Sequence, residues 1–162
     1  MTADPYTASI AVAAEPDAVF DYFTRADAIV RWMGDYALLE PHPGGQFTVD
    51  VNGVPVRGAY LELDRPHRVV LSWGHAGSDR LPPGASTVEV TLAPTDGGTL
   101  VTIVHSGLPE PDAAEHAAGW PHFLDRLALA GSGADPGPDP WLSDGASGDD
   151  AGLGARPLED LS

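Results

Sequence analysis

Apolar and polar residues alternate along most of the first 105 positions and then change rhythm. Residues 6–13 alternate in the manner of a strand, and Glu15-Pro16-Asp17 places a proline and acids where a helix begins. Val19, Phe20 and Phe23 follow at helical spacing, which predicts a short first helix with one apolar face. A second short helix is predicted over 27–33, ending near Gly34. Strand patterns follow at 36–40, 46–51, 54–63, 68–73, 87–93 and 99–105. Turn signals separate them at Gly44-Gly45, Asn52-Gly53, Arg65-Pro66, Pro82-Pro83-Gly84 and Asp96-Gly97-Gly98. This order predicts an antiparallel meander. Val88, Val90 and Leu92 share one face while Thr87, Glu89 and Thr91 share the other, and Val101, Ile103 and His105 form a matching row. Such a sheet has one wet side and one dry side, and the dry side needs a cover.

The segment 112–130 supplies it. Ala113, Ala117, Trp120, Leu124 and Leu127 recur at intervals of three and four, and Phe123 widens the stripe. Pro111 is placed to open this helix and Gly131 to close it. Pro121 removes a backbone bond and crowds the carbonyl of Ala117, so a kink or break is expected there, tilting Trp120 inward. The expected fold is α+β: a curved antiparallel sheet wrapped around a long C-terminal helix, with two short helices after the first strand. A hydrophobic cavity between rod and sheet is the expected consequence.

With 162 residues the chain suits one core. Composition shifts after Ala130, dividing it into a domain at 1–130 and a Gly/Asp/Pro-rich acidic tail at 131–162, expected to be disordered. Trp141 in Pro140-Trp141-Leu142 is the one residue there suited to dock on the body or a partner. Acids outnumber bases 24 to 8, every base is Arg, and the net charge of -16 argues against a nucleic-acid partner. Without cysteine there are no disulfides, thiolate metal sites or Cys nucleophiles. The start of the chain lacks a basic, apolar leader and no stretch approaches the ~20 apolar residues of a membrane span, so a cytoplasmic location is expected.

Several short pieces carry a resemblance. They are Arg31-Trp32-Met33-Gly34, Gly44-Gly45-Gln46-Phe47, Gly58-Ala59-Tyr60-Leu61-Glu62, Val70-Leu71-Ser72-Trp73, Val104-His105-Ser106-Gly107-Leu108, and Gly119-Trp120 with Leu124 and Leu127. In this order the chain resembles the helix-grip fold of the START-like or SRPBCC superfamily, and within it the homologues of the activator of heat-shock-protein-90 ATPase. The resemblance implies a container whose relatives include lipid carriers, polyketide cyclases, antibiotic-sequestering proteins and stress-response modules. The namesake's co-chaperone activity resembles a two-domain arrangement, which this chain does not share.

Trp32, Phe47, Tyr60, Trp73, Trp120 and Phe123 are the aromatic candidates for a ligand wall, although large apolar residues more often fill a core. Trp120 is the foremost wall candidate. His105 could present a polar group at the cavity mouth, but no partner that would orient it as a base is evident, and a structural tie to the following loop is the preferred reading. Arg57 and Glu62 fall on opposite faces of a regular strand, so one of them would point inward unless a bulge intervenes.

No metal pattern stands out: His116 and His122 are six apart, and Asp112 with His116, though correctly spaced, reads as a solvated face. There is no Gly-x-Ser-x-Gly and no phosphate loop, so neither catalytic residues nor a cofactor are expected. The leading expectation is a binder of a hydrophobic, polyketide-like or aromatic metabolite. A cyclase or aromatase using the same cavity, and a stress-response or chaperone-associated interaction module, are the alternatives.

Overall fold

The computed structural model describes residues 2–140. The elements are β1 (Tyr6–Val12), α1 (Pro16–Thr24), α2 (Ala26–Ile29), β2 (Tyr36–Leu39), β3 (Gln46–Val51), β4 (Val54–Asp64), β5 (Arg68–His75), β6 (Ser86–Thr95), β7 (Gly98–Ser106) and α3 (Glu110–Gly131). Seven strands form one curved antiparallel sheet in the order β1-β7-β6-β5-β4-β3-β2, with α3 on its dry face. Apart from β1, which returns beside β7, each strand pairs with its neighbours in sequence, as the short turns require. This is the helix-grip arrangement.

Alternation sets the register. Val69, Leu71 and Trp73 of β5 lie opposite Val90, Val88 and Ser86 of β6, and Val88 and Val90 lie opposite His105 and Ile103 of β7. All eight are buried on one face. On β4 the rhythm breaks. Val56 and Tyr60 point inward, but the register shifts between Tyr60 and Glu62, after which Leu63 packs on the core. The inserted residue moves the inward parity from even to odd. Neither Arg57 nor Glu62 therefore enters the core, and the expectation of one inward charge does not hold: Arg57 pairs with Asp50 at 2.9 Å and Glu62 with Arg68 at 3.1 Å, both partly wet.

The second helix is shorter than the sequence pattern predicts. It stops at Ile29, and Trp32 and Met33 continue as turns bonded to the Ile29 carbonyl. Gly34 follows at φ 86°, where a Cβ would stand 2.6 Å from the Asp50 carbonyl oxygen. Only glycine lets this turn lie so close to β3.

A break at Pro121 is not found. α3 is one helix through Pro121, which lies on its exposed side, where water can take the carbonyl that the proline leaves without a partner. Pro111 occupies its first turn, as predicted. Gly131 at the other end presses on β1, where a Cβ would be 2.3 Å from Val12 Cγ1. Beyond it the chain turns back along the body: Arg126 donates to Gly137 O at 2.8 Å, and Asp139 lies between His122 and Asn52. The composition shift at Gly131 thus marks the end of the helix, while contacts with the body extend to Asp139. Trp141 lies outside the described residues.

Candidate ligand-binding site

Strand register and helical spacing bring one group of rings together. Trp73 on β5 is opposite Ser86 on β6, whose next inward residue, Val88, is opposite His105 on β7. From α3, His116 and Trp120 descend one turn apart onto this row. The Trp73 and Trp120 rings lie 5.5 Å apart, His105 and His116 5.1 Å, and Trp73 and Phe47 6.0 Å.

The hydrogen bonds within this group fix its chemistry. An indole N–H can only donate. Trp120 Nε1 donates to His105 Nδ1 at 3.1 Å, so the His105 proton resides on Nε2, which donates to Ser86 Oγ at 2.9 Å. Ser86 in turn donates to the Trp73 carbonyl at 2.8 Å. Trp73 Nε1 donates to His116 Nε2 at 3.3 Å, which leaves the proton on His116 Nδ1 to donate to the Asp112 carbonyl at 2.8 Å. Both imidazoles are thereby held neutral, each as a defined tautomer. Ser86 spends its proton on a carbonyl and is not poised as a nucleophile.

His75 completes the group, stacked on His116 with centroids 5.5 Å apart. Its Nε2 is buried without a hydrogen-bond partner. Burial pushes the His75 pKa down to about 4, assisted by His116 and opposed by Asp112. Burial likewise lowers His105, well below the usual imidazole value, and His116. The nearby anion is already engaged: Asp112 receives two bonds from Arg80, each 3.0 Å. Expected as a solvated face, Asp112 and His116 are instead buried, because Arg80 arrives from the β5–β6 loop to partner the carboxylate.

The remaining candidates line the same interior. The Tyr60 hydroxyl donates to Phe23 O at 2.7 Å, and burial raises its pKa. Trp32 donates to Tyr22 O at 2.9 Å and meets the Phe23 ring edge-on. Phe123 lies on α3, with His122 against its ring. Of Trp32, Phe47, Tyr60, Trp73, His105, Trp120 and Phe123, none exposes more than 1% of its surface. In this state the rings close on one another where the sequence suggested a hollow.

Sequence reasoning missed His75, Ser86 and the burial of His116. The signals were present: β5 continued by one alternation reaches His75, and the helical stripe from Ala113 to Trp120 passes through His116. His105 has partners that the sequence did not reveal, Ser86 on β6 and Trp120 on α3, and neither belongs to the loop to which a structural tie was expected. Among the described residues no group of three or more His, Asp or Glu is placed to hold a metal ion.

Residues 13–130 match the family described as Activator of Hsp90 ATPase homolog 1-like protein. The chain belongs to this family. An AHSA1-like protein from Rhizobium etli is 41% identical, with a TM-score of 0.67 over 85% of this chain and 88% of that one. CalU16 from Micromonospora echinospora is 28% identical, with a TM-score of 0.71 over 87% of this chain and 72% of its own. The Aha1 dimer from Colwellia psychrerythraea, 20% identical with a TM-score of 0.69 over 80% of this chain and 97% of its own, shares the fold. No curated protein matches the sequence. Among the described residues no helix is long and apolar enough to cross a membrane.

Proposed function

We propose that this family member binds a hydrophobic small molecule, aromatic or polyketide-like, between α3 and the sheet. The wall residues are Trp32, Phe47, Tyr60, Trp73, His105, Trp120 and Phe123. One observation carries the reading: three imidazoles and two indole N–H groups are gathered inside an apolar seam, and one imidazole nitrogen has no partner. A domain built for stability alone gains little from such a cluster, since apolar rings of similar volume would fill the space without the desolvation cost. Hydrogen-bonding groups set among large flat rings are the composition of a small-molecule site.

Binding proceeds by parting α3 from the sheet, because the rings fill the interior in the closed state. Apolar burial drives it at about 25 cal/mol per Å². His75 serves as the orienting contact through its unpartnered Nε2, since both nitrogens of His105 and of His116 are committed to other bonds. This favours binding over proton transfer, and so over the cyclase reading.

Native mass spectrometry of the freshly purified protein and a fluorescence titration with the neutral probe N-phenyl-naphthylamine test this. A retained small molecule, or saturable probe binding that Trp120→Ala weakens, is expected. Absence of both from the wild-type protein, or undiminished binding by a folded Trp120→Ala variant, would overturn it.

A further inference from the structure

We infer that residues 132–140 form a clasp that holds α3 to the β3–β4 turn and sets how often the helix parts from the sheet. The inference begins with Asp139. Its carboxylate is 9% exposed, and its two oxygens bind partners from different elements: His122 Nε2 on α3 at 2.8 Å, and Asn52 Nδ2 in the β3–β4 turn at 3.0 Å. One residue outside the helix thus cross-links helix and hairpin. Four positions along the same helix face, Arg126 donates Nη2 to Gly137 O at 2.8 Å and Nε to Trp32 O at 3.2 Å. The helix is therefore tied on this flank at two points, both of which involve the segment that follows it.

The end of α3 is held by contacts that do not involve this segment: Gly131 lies against Val12, and Tyr22 donates its hydroxyl to Ala130 O at 3.0 Å. The ties through Gly137 and Asp139 can open while these contacts persist. The clasp is suited to act as the release. It is rich in Gly, Pro and Asp, contributes no large apolar residue to the core, and is joined to the body by polar bonds such as those of Gly137 and Asp139. Segments of this kind open at a fraction of the global unfolding free energy. A buried carboxylate is stable only with its partners, so Asp139 has two defined states, latched and hydrated, rather than a continuum. That opening also admits ligand rests on the function proposed above; the clasp itself does not.

The test is Asp139→Ala in the full chain, compared with Asp96→Ala, which removes the same charge from the β6–β7 turn. Hydrogen exchange of the α3 backbone amides should quicken about tenfold in Asp139→Ala and remain unchanged in Asp96→Ala. N-phenyl-naphthylamine should associate and dissociate faster by a similar factor, with its affinity changed much less. Asn52→Gly, which removes one arm only, should show the same effects at smaller size and serves if Asp139→Ala does not fold. Faster exchange with no probe binding to any variant would uphold the clasp and end the small-molecule reading. Exchange in α3 no faster for Asp139→Ala or Asn52→Gly than for Asp96→Ala would overturn the clasp.

Discussion

The two ends of the seam beneath α3 are built on different principles. At the end covered by α1 and the turn after α2, Val19, Phe20, Phe23, Trp32 and Leu127 are buried, and the Trp32 indole donates to a backbone carbonyl. At the end formed by β5, β6, β7 and the first half of α3, His75, His105, His116, Trp73 and Trp120 are gathered: each indole donates to an imidazole, and His75 stacks on His116. The first end derives its stability from apolar area and shape, which no proton can alter. The second depends on neutral imidazoles facing indole donors, so its stability depends on the proton concentration. A single fold thus contains a part that holds and a part that can be persuaded to change.

The largest effect should come from the apolar end. Phe23 is 3% exposed and meets Trp32 edge-on at 5.3 Å. Phe23→Ala should cost about 3–5 kcal/mol by urea denaturation, from lost transfer energy and the cavity left behind. The cost should be the same at pH 7 and pH 5.5. A strongly pH-dependent cost would erase the distinction between the two ends.

Acid should act on the other end. His75, His105 and His116 all have pKa values lowered by burial, and unfolding returns them to the ordinary imidazole value near 6.5. Below that pH the unfolded chain takes up protons that the folded chain refuses. The histidine contribution to stability is therefore whole above about pH 6.5 and declines as pH falls, for His75 down to about 4. Each histidine kept neutral should contribute about 1.4 kcal/mol of loss per pH unit in that window. Urea midpoints between pH 7.5 and 5 should show the decline, and His75→Phe should flatten it. An unchanged slope in that variant would show that His75 is not among the groups responsible.

Trp120→Phe sharpens the same point with a smaller change. The ring remains, but the donor to His105 Nδ1 is lost, leaving a buried nitrogen unpaired at a cost of about 1–3 kcal/mol near pH 7. Freed of the indole proton, Nδ1 can accept one of its own. The gap between variant and parent should therefore narrow at pH 5. A gap constant with pH would mean that the indole contributes packing only.

The apolar positions of both ends were legible in the sequence and the polar bonds of the second end were not, for a physical reason. The rows on β6 and β7 and the stripe on α3 follow from local periodicity, and β3 (Gln46–Val51) falls on the positions that the pattern predicts. Departures arise where distant residues intervene. Asp112 and His116 read as a wet face because nothing nearby in sequence announces Arg80, which makes their burial tolerable. Glu62 changes sides because of a one-residue bulge, and no local rule demanded one. Asp139 finds Asn52 across 87 positions, a pairing that composition cannot suggest. Alternation reveals which face a residue takes; it does not reveal which polar groups will meet once the faces close.

The smallest expected effect tests whether polar bonds at the apolar end are also insensitive to pH. Tyr22 donates its hydroxyl to Ala130 O, closing α1 onto the last turn of α3. The same carbonyl also receives the Gly133 amide at 3.1 Å, so losing the hydroxyl does not leave it without a partner. Tyr22→Phe should therefore cost only about 0.5–1 kcal/mol, the net value of one exchanged hydrogen bond. Because no imidazole takes part, the cost should be equal at pH 7 and pH 5, in contrast to Trp120→Phe. If Tyr22→Phe instead acquired the pH dependence expected of Trp120→Phe, the two ends would be coupled through α3, and the helix would move as one body when the histidines take up protons.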